Sequence, residues 1–128
     1  MPTFPGNTGD VVTSAMWNGL PAFTVQTAKT ADYTAASGDE YQQLIPMNKA
    51  TAVAFKIPTD ATYNFAVGTV ITVLNKGLGT VTISAVTSGT TTINSAGGTP
   101  AAPTLAQFKS AACIKTAANV WYVVGAIA

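Results

Sequence analysis

The stretch "FAVGTVITVLNKGLGTVTISA", residues 65–85, decides how this chain is read. It holds two runs rich in β-branched residues, "GTVITVLN" and "TVTISA", separated by Lys76-Gly77-Leu78-Gly79. Two glycines beside a lysine invite comparison with a phosphate-binding loop. Such a loop needs Gly-x-x-x-x-Gly-Lys-[Ser/Thr] between a strand and a helix, so that backbone amides and the helix N-terminus face the phosphate. Here Lys76 precedes the glycines and another strand-like run follows. A dinucleotide fingerprint fails too, for want of a third glycine and a helix. The stretch therefore reads as a β-hairpin, with Gly77 and Gly79 expected to supply positive φ in its turn.

Working outward, the same period continues. "AFTVQTA" alternates Phe23, Val25 and Thr27 against Thr24 and Gln26, and "ATAVAFKIP" puts Val53, Phe55 and Ile57 on one face before Pro58. "TTTIN", "AACIKTA" and "VWYVVGAI" follow, with a Gly/Pro/Ala stretch "SAGGTPAAP" between the first two. Short β-branched runs separated by turn residues every ~8–12 positions indicate an all-β sandwich or barrel. The expected fold is a compact antiparallel β-sandwich or barrel, jelly-roll-like, over residues 24–128.

Residues 1–23, "MPTFPGNTGDVVTSAMWNGLPAF", differ. Three prolines, three glycines and isolated aromatics argue against a strand-rich core and for an extended N-terminal arm. Within it, "TSAMWNGL" carries the signals of one short helix: Thr13 or Ser14 as N-cap, Gly19 past the end, Pro21 beyond. Phe4, Trp17, Leu20 and Phe23 are the expected partner-binding anchors of the arm, because buried apolar and aromatic side chains dominate binding energy. The alternative is that they fold back on their own β-domain.

Composition narrows function. The 128 residues suit one domain. Only 9% are charged, against ~25% in ordinary domains. The net charge is +1, from six scattered lysines (29, 49, 56, 76, 109 and 115) and no arginine. That footprint argues against nucleic acid as a partner. No basic-then-apolar leader and no long apolar run is seen, so neither a signal peptide nor a membrane partner is expected. With 48% hydrophobic residues and few charges, some apolar surface should be buried against copies of the chain or a partner.

Candidate chemistry is sparse. The chain has no histidine, the commonest general base and metal ligand, and one cysteine, Cys113, which suits a buried small hydrophobe in "AACIKTA". Asp39-Glu40 reads as a solvated turn whose adjacent carboxylates do not converge on one bond. Trp121 and Tyr122 read as one core and one surface aromatic. No catalytic residue, metal ligand or cofactor is expected, and the chain reads as a non-enzyme.

From Asp39 onward the ordered segments resemble a module of tailed-bacteriophage virion proteins, found at tail-fibre ends and in head-decorating proteins. "GDEYQQLIPMNKATAVAFKIP" (38–58) resembles its opening turn and strands. "FAVGTVITVLNKGLGTVTISA" (65–85) is similar to its most distinctive part, "GTTTINSAGG" (89–98) to the next strand and turn, and "LAQFKSAACIKTAANVWYVVGAIA" (105–128) to its closing pair. The resemblance implies a non-enzymatic virion part, commonly a homotrimer, assembled in the host cytoplasm. A short arm before a single module suits a capsid decoration (cement) protein that stabilises the head by binding the major capsid protein. The alternative is a short tail fibre or adaptor that binds a host receptor or another virion protein. A third class, a small enzyme or lectin-like module outside any virion, would show turnover or sugar binding.

Overall fold

A computed structural model describes residues 24–41 and 44–128. The arm 1–23, with its expected helix, lies outside the described residues. Nine strands follow: β1 (Tyr33–Thr34), β2 (Leu44–Met47), β3 (Val53–Ile57), β4 (Val70–Asn75), β5 (Val81–Ala85), β6 (Thr92–Ser95), β7 (Thr104–Leu105), β8 (Ser110–Ala117) and β9 (Val120–Gly125). They form a four-stranded sheet, β1-β3-β5-β7, and a five-stranded sheet, β2-β4-β8-β9-β6. The all-β expectation holds, and the arrangement is sandwich-like, not a closed barrel. Of "AFTVQTA", the described part makes only one isolated parallel bridge to β2, at Val25, and Lys29 just beyond it makes a second.

The antiparallel, jelly-roll-like expectation is corrected. β1 with β3, β3 with β5, β2 with β4 and β6 with β9 all pair in parallel. The reason is that successive strands from β1 to β8 alternate between the two sheets. The chain therefore coils: β2 and β3 make one turn, β4 and β5 the next, stacked so that Thr72 lies beside Leu44 and Val81 beside Val53. Each residue of the second coil sits 28 positions after its neighbour in the first, and β9 keeps the same spacing from β6 (Trp121 beside Ile93). The β8–β9 pair is the antiparallel closing hairpin, turned at Asn119 with φ 54, a conformation asparagine tolerates better than most residues.

The stretch that opened the reading is likewise not a hairpin. β4 and β5 lie in different sheets, and residues 76–80 arch between them. Gly77 and Gly79 are absent from the positive-φ residues. Their role is close approach: a Cβ on Gly77 would lie 2.3 Å from the Lys49 carbonyl oxygen, and one on Gly79 only 1.8 Å from that of Thr51. The upper arch rests on the lower one, with Lys76 N–H donating to Met47 O (2.8 Å) and Gly79 N–H to Lys49 O (2.9 Å). Buried Asn75 fastens the bend, accepting from Gly77 N–H (3.0 Å) and donating to Gly79 O (2.8 Å) and Leu105 O (3.0 Å).

Strand alternation places the core between the sheets. Ile45, Met47, Ile71, Val73, Cys113, Trp121 and Val123 face Val53, Phe55, Ile57, Val81, Ile83 and Leu105, all buried. Each such side chain contributes about 1.5–3 kcal/mol by leaving water. Trp121 sits at one end of an edge-to-face aromatic series, 5.7 Å from Phe65, which is 4.6 Å from Tyr63.

Candidate interaction surfaces

The arm anchors Phe4, Trp17, Leu20 and Phe23 lie outside the described residues. Cys113 is a buried member of the core, as its apolar surroundings suggest, and burial pushes its thiol up to about 12. Trp121 is buried and Tyr122 is 45% exposed, matching the core-and-surface reading.

Asp39 departs from the solvated-turn reading, being only 4% exposed. It accepts from Tyr33 Oη (2.7 Å), Gln26 Nε2 (2.7 Å) and Ala36 N–H (2.8 Å). Desolvation, then the hydrogen bond to Asp39, raises the Tyr33 phenol well above its usual range. Glu40 accepts from Tyr63 Oη (2.6 Å), which raises that phenol as well. Both carboxylates are thus hydrogen-bonded within or against the 36–41 turn.

A second polar centre went unread in the sequence. Lys115 is 1% exposed, and its three ammonium protons meet Asp60 Oδ1 (2.8 Å), Asn64 Oδ1 (2.7 Å) and Phe65 O (2.6 Å). Asp60 and Asn119 exchange hydrogen bonds, Asn119 N–H to Asp60 Oδ2 (3.0 Å) and Asp60 N–H to Asn119 Oδ1 (2.9 Å). Every donor of the ammonium is occupied, so the group fastens the 59–65 loop to β8, while Asn119 ties the same loop to the β8–β9 turn. Position 115 falls on the inward face of the alternating run, which was the available signal. Among the described residues no group of three potential metal ligands comes together.

The two outward faces differ in kind. On the four-stranded sheet, Thr34, Lys56, Thr82, Ser84 and Thr104 point out beside Ala54, making a mostly polar face. On the five-stranded sheet the outward rows are Val70–Ile114–Tyr122–Asn94 and Leu44–Thr72–Ala112–Val124. No charged side chain occurs in these rows. At one edge, Asn94, Tyr122, Val124 and Ile127 border a shallow depression of ≈ 400 Å³.

A third surface caps the arches. Backbone hydrogen bonds bring Lys49, Lys76 and Lys109 to this end together with Leu78 and Phe108, which are 75% and 78% exposed. Among the described residues no helix is long and apolar enough to cross a membrane. No family model, no curated protein and no solved structure matches the chain.

Proposed function

We propose that the chain is a structural protein of a tailed-bacteriophage virion, a capsid decoration protein that assembles as a homotrimer and binds the major capsid protein. It has no enzymatic role in this reading. The observation that carries the proposal is the uncharged, largely apolar outward face of the five-stranded sheet. A sheet face of that kind costs solubility unless protein covers it, and it gives a chain of low charge its means of self-assembly. The ordered resemblance from Asp39 onward supports the virion setting, and the arm adds a second contact to a repetitive lattice, where avidity multiplies weak contacts.

The depression beside Tyr122 favours a second reading, a short tail fibre or adaptor, because an exposed aromatic at a concave edge suits a glycan or receptor. Quantitative mass spectrometry of purified particles separates the two. A copy number in fixed ratio to the coat lattice supports decoration, a few copies per particle support a tail or vertex part, and absence from particles contradicts both.

A further inference from the structure

We infer that the arch end, formed by Lys49, Lys76, Leu78, Phe108 and Lys109, is the surface with which this chain docks onto an acidic protein surface. The inference rests on the virion reading only in its choice of binding partner, the phage head.

The lysines look scattered in sequence, and folding sorts them. Lys115 is buried in its ion pair with Asp60, the only ion pair among the described residues. Lys29 has its ammonium 4.4 Å from the centre of the Tyr33 ring. Lys56 lies on the polar face of the four-stranded sheet, in register with Thr34. The remaining three are brought to one end by backbone contacts. The Lys49 carbonyl accepts from Gly79, Lys76 N–H donates to Met47 O, and the Lys109 carbonyl accepts from Asn75. Among the described residues, Asp39, Glu40 and Asp60 are consumed at the opposite end, and Asp32, just before β1, accepts from Ala54 N–H. Among the described residues none of these three lysines has a carboxylate partner, and together they present a cationic end on a nearly neutral chain.

Two apolar side chains stand among those charges. Leu78 occupies the upper arch between the two glycines that fit it to the lower arch. Phe108 has φ 66, a left-handed conformation unfavourable for a bulky residue, while its N–H donates to Asn75 O (2.7 Å). Glycine or asparagine would satisfy that backbone more cheaply. A phenylalanine held in strained backbone and turned to water contributes little to the fold, and such strain marks binding sites. Apolar tips within a cationic rim fit a partner with an apolar hollow edged by Asp or Glu. A phosphate backbone offers no hollow for them, which favours protein over nucleic acid.

The test uses the full-length chain and phage heads prepared without it, with uptake measured over a salt series. The K49E/K76E/K109E variant is expected to lose at least tenfold in uptake with an unchanged melting temperature. Leu78→Ser should lose severalfold. Phe108→Gly should also lose severalfold while melting at the same or a higher temperature, a combination that a purely structural role would not give. Heads that take up wild type and the triple variant alike overturn this docking alone. Heads that refuse the wild-type chain overturn the virion reading and this docking with it. Phosphatidylserine vesicles or duplex DNA that bind the wild-type chain as tightly as heads do, and lose it on charge reversal, overturn the assignment to a protein partner.

Discussion

The two ends of this sandwich are closed by different physics. At the arch end, backbone rests directly on backbone, two glycines make the fit possible, and the neutral amide of Asn75 fastens the bend. At the opposite end, side chains close the loops: Lys115 with Asp60, Asn64 and Phe65, Asp39 with Tyr33 and Gln26, Glu40 with Tyr63. The difference determines what each end has left for a partner. An end fastened through side chains has its charges committed internally. An end fastened through main chain and a neutral amide has no charge committed internally among the described residues, which leaves Lys49, Lys76, Leu78, Phe108 and Lys109 to face outward.

The contrast breaks first at the glycines. Gly79→Ala forces a Cβ against the Thr51 carbonyl, which cannot swing away as a side-chain tip would. It should cost about 3 kcal/mol or more in chemical denaturation. Gly98→Ala, with nothing within 4 Å and no positive φ, should be near neutral. Equal effects at the two positions would refute the stacked-arch account.

Asp60→Asn attacks the other end. It leaves the Lys115 ammonium buried without its counter-charge and should cost about 2–3 kcal/mol, somewhat below the loss for a fully buried pair because Asp60 is partly exposed. Urea denaturation checks it, and the loss should exceed that of Asp32→Asn at the exposed backbone contact.

Alkaline pH loosens the same end and the core more gently. Cys113, Tyr33 and Tyr63 all titrate higher in the folded chain than in the unfolded one. Their contribution is therefore complete below the unfolded values and is lost as pH rises through the folded ones. For Cys113 that window opens at 9.0 and closes at about 12. Denaturation midpoints should be level from neutral pH to about 9 and then fall, and Cys113→Ala should flatten the first part of the decline.

The smallest effect is expected for Leu78→Ser. Removing an exposed side chain from the arch should change stability by no more than about 0.5 kcal/mol. A large loss would mean that the arch end depends on its exposed side chains as well as on Asn75 and the main chain.

Strand positions were legible because β-branched alternation is a local property: Val53, Phe55 and Ile57 point inward as their spacing requires. Strand partners were not. A turn rich in glycine joins neighbours in a hairpin and layers in an arch with nearly the same residues, and only the stacking of residue 79 on residue 51 distinguishes them. The 28-residue spacing was available in principle, since "ATAV" at 50–53 and "LGTV" at 78–81 occupy equivalent places. It is weak because the two coils share pattern more than identity. The burial of Asp39, expected in a solvated turn, and of Lys115 is not legible from residue type, since it depends on acceptors and donors brought in from other loops. The sorting of lysines to one end is a property of the coil and has no trace in their sequence spacing.

Sedimentation equilibrium of the full-length chain, beside a Y122K/V124K variant, tests most directly whether the uncharged sheet face is made for assembly. Wild type should sediment as a trimer and the variant as a folded monomer with the same melting temperature. A wild-type chain that remains monomeric at every concentration, or a variant that assembles unchanged, would contradict the account.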